Sequence, residues 1–164
     1  MFLITTVNQK EYVMSQSVSS PAVDRGLLLI RVALGLVFVM HGWMKLTVLG
    51  VAGTAGFLAS LGIPLPTVNA VLITSVELAG GLLFALGAGT RIVGTLLAFS
   101  MFVAFATVHA ANGFFLPNGY EFVLTLALVS IAVVITGAGR YSVDARLSSR
   151  RSVAAVEASY AKAA

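Results

Sequence analysis

The chain alternates between long apolar runs and short connections rich in glycine and proline. A helix rises about 1.5 Å per residue, so crossing roughly 30 Å of hydrocarbon takes about 20 apolar residues. Runs at about 26–46, 67–87, 92–109 and 120–136 meet or approach that length, and each predicts a membrane-spanning helix. Between the first two lies "GVAGTAGFLASLGIPLPT", whose Gly and Pro residues break a continuous helix. Its "GTAGFLASLG" core can still form a short interfacial or re-entrant helix. "GAGTR" and "NGFFLPNGY" make the other two connections. The expected fold class is all-α, an integral membrane four-helix bundle.

The flanks differ from this core. Residues 1–24 read as a flexible, polar N-terminal tail, with "SQSVSSPAVD" its clearest low-hydrophobicity stretch. The opening "MFLITTV" is short and lacks the basic flank of a signal peptide, and Met14 can serve as the natural start. Residues 25–139 form the four-span domain, and 140–164 form a basic tail.

Composition supports the membrane assignment. The 164 residues are 59% hydrophobic and 10% charged, where a soluble domain carries about 25% charge. The mean hydropathy is +1.00. With no cysteine, the chain has no disulfide, thiolate nucleophile, iron–sulfur cluster or c-type haem attachment. It also shows no Rossmann glycine fingerprint for a flavin and no haem-ligand pair at mid-membrane depth. Redox chemistry here would need a bound organic molecule, a histidine-ligated metal or a partner protein.

The net charge of +4 is a topology signal and does not mark a nucleic-acid surface. With four spans, Lys10, Arg25, Arg91, Arg140, Arg146, Arg150, Arg151 and Lys162 share one side, while Lys45 stands on the other. The positive-inside rule then places both termini in the cytoplasm. The C-terminal tail can form a helix along an anionic inner leaflet, or be a solvated extension that only sets topology.

Depth follows from position along each span. Arg31 falls in the inner half, Glu77 near the midplane, and His41, Lys45, His109 and Glu121 toward the outer end. Burying an isolated ion near the bilayer centre costs about 2.5–3.5 kcal/mol on insertion scales, which favours pairing Arg31 with Glu77. Arg31, Phe38 and Lys45 recur every seven residues with His41 on the same broad face. Glu77, Gly80, Gly81, Phe84 and Arg91 fall near one stripe, whose small residues admit close helix approach. Each group also has a purely structural reading: Arg31–Glu77 as a clasp, Lys45 as a snorkelling side chain, Trp43 as an interfacial anchor. A metal on His41, His109 and Glu121 is geometrically conceivable, but no local spacing selects for one, and none is expected.

Five stretches carry a resemblance: "LLLIRVALGLVFVMHGWMKL", "FLASLGIPLP", "ELAGGLLFALGAGTR", "VHAANGFFLPNGYEF" and "GAGRYSVD". In this order, from about Arg25 to Asp144, they resemble the DoxX family of small four-helix bacterial membrane proteins. The resemblance implies a bacterial cytoplasmic-membrane protein belonging to quinone-linked or oxidative-stress oxidoreductase assemblies. The family takes its name from a subunit of an archaeal thiosulfate:quinone oxidoreductase. Its recurrent polar positions fall on Arg31, His41, Lys45, Glu77, Arg91, His109 and Glu121, with Asn112 and Gly113 in the third connection. "NGYE" stands where many members have two glycines before Tyr-Glu, and Asn tolerates the same left-handed backbone.

Two functions follow as expectations. In the first, the chain is a quinone-interacting subunit. Quinone reduction needs protons as well as electrons, so Glu77, His41 and His109 are the candidate catalytic residues. Lys45, Glu121 and Asn112 would bind the quinone, and Phe115 and Tyr120, with Phe114, would pack on its ring. Electrons would come from a soluble redox partner or a small reductant. In the second, the chain is a non-enzymatic membrane subunit that anchors or positions a partner protein, and its buried charges are helix clasps. A small transporter or lipid-binding protein is the third reading; the chain shows no inverted repeat of broken helices of the kind transporters use, and a larger path would call for a homo-oligomer.

Overall fold

The computed structural model describes residues 20–163, with the side chains of 153 and 155–163 left aside. Most of the expected N-terminal tail, including Met14, lies outside the described residues. Helix α1 (Pro21–Met44) begins five residues before the expected Gly26. The Ser20 hydroxyl accepts a hydrogen bond from Val23 N at 3.3 Å, Pro21 opens the first turn, and Asp24 adds negative charge there.

Every element is helical, and no strand occurs among the described residues. Helix α1 passes through a π-helical turn, Lys45–Leu49, into α2 (Gly50–Ser60), where Gly50 takes φ +66°. The "GTAGFLASLG" segment is therefore a helix continuing from the first span. After a tight turn at 61–65, α3 (Pro66–Ser75), a second π turn (Val76–Gly80) and α4 (Gly81–Leu86) make one rod. Then come α5 (Thr90–Ala104), a third π turn (Phe105–His109) and a short 3-10 turn (Ala110–Asn112). Helix α6 (Glu121–Thr136) and the C-terminal α7 (Val143–Ala163) complete the chain.

Three of these continuous helices, Pro21–Ser60, Pro66–Leu86 and Thr90–Asn112, are long and apolar enough to cross a membrane. Helix α6 is equally apolar but has 16 residues.

Two antiparallel pairs build the bundle. Helix α1 lies against the α3–α4 rod, α5 lies against α6, and the rod joins the pairs through its contacts with α5. Apolar burial does not drive association in lipid, so close packing must hold the first pair. Glycines permit it: a Cβ on Gly35 would sit 2.6 Å from Gly81 O, and one on Gly42 would sit 2.6 Å from Leu78 N. Phe38 and Phe84 from the first pair interlock with Leu97, Met101, Leu126 and Val133 from the second. Outward-facing Leu, Ile and Val side chains remain exposed along the rods, as a lipid-facing surface requires.

Candidate functional site

Lys45 opens the first π turn and Glu77 sits in the second. Lys45 Nζ donates to Glu77 Oε2 at 2.6 Å, and their side chains are 19% and 4% exposed. The glycine contacts just below them bring α1 and the rod close enough for this short bond. The third π turn ends on His109. Each of the three membrane-length helices thus carries a π turn, and each π turn carries an ionisable residue. Such turns cluster at functional sites because the extra residue re-aims side chains without ending the helix.

All three residues, together with His41, line one cavity of about 550 Å³. Its walls are otherwise mostly apolar, drawn from α1, α2, α5 and α6, with Phe57, Met101 and Phe122 among them. Leu116, Pro117 and Gly119 from the loop before α6 also contribute. His41 faces Phe122 across the bundle, their ring centroids 6.3 Å apart. His109 Nδ1 lies 2.8 Å from the carbonyl oxygen of Asn118. A carbonyl only accepts, so Nδ1 carries the hydrogen, and in the neutral ring Nε2 is the acceptor.

The structure brings together part of the expected outer set and separates the rest. His41, Lys45 and His109 share the cavity with Glu77, whereas Glu121, Asn112, Phe115 and Tyr120 do not line it. Glu121 instead accepts from Leu116 N at 2.8 Å, Asn112 donates to Val108 O, and Phe115 is 76% exposed. Tyr120 packs edge-on against Phe105 and Phe114. These four residues shape the loop over the cavity. Among the described residues no three His, Asp or Glu side chains converge as a metal set would.

The expected Arg31–Glu77 pair is corrected. In the antiparallel register Gly35 meets Gly81 and Arg31 meets Gly87, ten residues from Glu77 along the rod. That offset is roughly 15 Å of helix, far beyond an ion pair. Lys45 takes the place assigned to Arg31.

Arg31 belongs to a second polar knot at the opposite end of the bundle. It is completely buried, donates through Nη2 to Tyr141 O at 2.6 Å, and lies against Gly87, where any Cβ would overlap its guanidinium. Asp144 at the start of α7 accepts from Gly89 N at 2.7 Å and Thr90 N at 2.9 Å. Burial works to raise the Asp144 carboxyl, but the Thr90 and Gly89 donors and the charge of Arg31 outweigh it, and the net shift is downward. Asp24 Oδ1 likewise accepts from Arg140 N at 2.9 Å. The chain at 140–144 is therefore stitched to the bundle. Sequence reasoning passed over Asp24, Tyr141 and Asp144. The available signal was the Gly-Ala-Gly repeated at 87–89 and 137–139, with positive φ at each glycine and a carboxylate on the backbone just after each repeat.

Comparison with known proteins identifies the family. Residues 26–110 match the DoxX family model. A Bacillus subtilis (strain 168) protein named "Putative oxidoreductase CatD" is 39% identical over 119 residues, covering 73% of this chain and 84% of its own. The Escherichia coli (strain K12) inner membrane protein YqjF is 33% identical, covering 77% of this chain and 95% of its own. The inner membrane protein YphA of the same organism is 30% identical, covering 73% and 89%. No solved structure matches the chain significantly. With three membrane-length apolar helices and inner-membrane relatives that align over most of its length, the chain is a bacterial inner-membrane protein and a member of the DoxX family.

Proposed function

We propose that this chain is a quinone-interacting subunit of a membrane oxidoreductase system, with α1, the α3–α4 rod, α5 and α6 as four spans and both termini cytoplasmic. The observation that carries the reading is the Lys45–Glu77 pair set, with His41 and His109, in the wall of a mostly apolar cavity. A volume of about 550 Å³ suits one small ring system with part of an apolar tail. The name of the Bacillus relative, "Putative oxidoreductase CatD", points in the same direction.

The residues fit such a guest. A bound quinone supplies two-electron, two-proton redox chemistry. Lys45 carries three N–H donors and spends one on Glu77, so it can hold a carbonyl oxygen while remaining paired. Glu77 holds the ammonium in position, and it can accept or return a proton at the same spot. His109, with its Nδ1 hydrogen committed to Asn118 O, offers Nε2 for proton exchange, and His41 offers a second ring on the same cavity. Apolar walls keep bulk water from competing with these groups. A soluble redox partner supplies the electrons.

Native mass spectrometry of protein extracted gently from its own membrane tests the reading. A quinone-sized adduct that disappears in Lys45→Met and Glu77→Gln is the expected result. An empty cavity together with a stoichiometric soluble protein favours the anchoring role, for which the exposed Phe114 and Phe115 provide a docking feature.

A further inference from the structure

The bundle is electrically lopsided. Near the cavity, Lys45 is paired with Glu77, and Glu121 is tied to Leu116 N. At the other end six arginines, Arg25, Arg91, Arg140, Arg146, Arg150 and Arg151, are all solvent-exposed. The nearby acids do not offset them at the surface. Asp24 is 2% exposed with an oxygen on Arg140 N, and Asp144 caps Gly89 and Thr90. Among the described side chains, the charge on the outward face there is that of the guanidinium groups.

Two apolar side chains lie within this cationic face. Tyr141 is 45% exposed and Leu147 is 49% exposed, on either side of Arg146 near the start of α7. The adjoining helices α1, α5 and α6 are the apolar ones, so the face lies at the depth of a bilayer's headgroups. Arginine binds phosphate through two parallel N–H donors, and a neighbouring Tyr or Leu can enter the acyl boundary.

We propose that this face, from Arg140 through Arg151 with Arg25 and Arg91 beside it, is a binding surface for acidic glycerophospholipid headgroups. The knot of Asp144, Gly89, Thr90 and Arg31 holds the start of α7 in place, so that Arg146, Arg150 and Arg151 are presented to lipid phosphates. Each basic residue near an anionic surface is worth roughly a fivefold change in binding, weakened by salt.

The test compares phosphatidylglycerol with phosphatidylcholine on the detergent-solubilised full chain, by lipid retention in native mass spectrometry and by melting temperature. The variant is Arg146→Gln/Arg150→Gln/Arg151→Gln, three exposed positions away from the cavity. The intact protein should retain phosphatidylglycerol in preference to phosphatidylcholine, and the variant should lose roughly tenfold or more of that preference at low salt. Equal retention of the two lipids overturns the proposal. So does a preference that survives the triple substitution, or stabilisation by inorganic phosphate equal to that by phosphatidylglycerol. Capture of an acidic soluble protein in place of lipid overturns it as well. None of these results depends on what occupies the cavity.

Discussion

Lys45 and Glu77 meet at 2.6 Å although neither lies in a regular α-helical turn; each belongs to a π turn of its own rod. Removing one partner strands the other's charge, at a cost of about 3–5 kcal/mol for a buried pair. Partial exposure of Lys45 puts this case at the lower end. Lys45→Met and Glu77→Leu should each lower the unfolding midpoint in detergent, and the double variant should recover most of the loss. Ligand retention should fail in all three. A double variant that still holds its ligand would remove the pair from the site.

Arg31 and Glu77 serve separate knots, so their effects should add. Arg31→Leu leaves the Tyr141 carbonyl without its donor, and Glu77→Leu strands Lys45. The double variant should equal the sum of the singles within about 0.5 kcal/mol, as for distant, independent sites. Stabilisation of either single variant by the other change would restore the direct clasp that the register excludes.

Close glycine contacts set that register. Gly42→Ala places a methyl group 2.6 Å from Leu78 N, where backbone cannot yield cheaply, and overpacking of this kind costs about 1–3 kcal/mol. Leu78 follows Glu77, so the same change should pull the carboxylate from Lys45 and weaken ligand retention. Gly26→Ala meets nothing within 4 Å and serves as the control; it should be neutral or stabilising by up to about 1 kcal/mol.

The C-terminal helix should loosen in acid. The folded Asp144 carboxyl lies below its ordinary value near 3.9. Its stabilisation is therefore fully present above about pH 4 and is lost as pH falls through the folded value. Protection factors at Gly89 and Thr90, taken against the intrinsic exchange rate at each pH, should fall over that acid range. Asp144→Asn should show fast exchange already at neutral pH, with a cost of about 0.5–2 kcal/mol, as for a lost helix cap. Identical pH profiles for the two proteins would exclude Asp144 as the anchor.

Much of the architecture was legible in the sequence because the bilayer imposes a length, and four apolar runs of near-sufficient length stood out. The inward faces were legible in part: Arg31, Phe38, Glu77, Gly81 and Phe84 are buried and Lys45 and Gly80 half-buried, whereas His41 and Arg91, expected on the same stripes, are exposed. What periodicity could not supply was axial register. A seven-residue repeat says which residues share a face but not which level of one helix meets which level of the next. The Gly35–Gly81 contact decides that: periodicity puts Gly81 on the facing stripe but not the level at which it meets Gly35. The π turns were equally hidden, since one inserted residue re-aims Lys45, Glu77 and His109 without altering composition. The loop residues Glu121, Asn112, Phe115 and Tyr120 were placed at the right end of the molecule. Short-range hydrogen bonds and ring contacts then drew them into the loop's own structure.

Gly50 has a consequence that reaches the cavity. Its φ of +66° is a backbone state that a side chain makes costly, and it joins the first span to α2, which supplies Gly53, Thr54, Phe57 and Leu58 to the wall. A whole panel of the chamber therefore turns on this glycine together with its packing against α3, while the pairing of α1 with α4 lies elsewhere. Gly50→Val should displace the panel and leave the ion pair standing. The breadth of the cavity is then shaped at a residue that carries no ionisable group, separately from the Lys45–Glu77 pair.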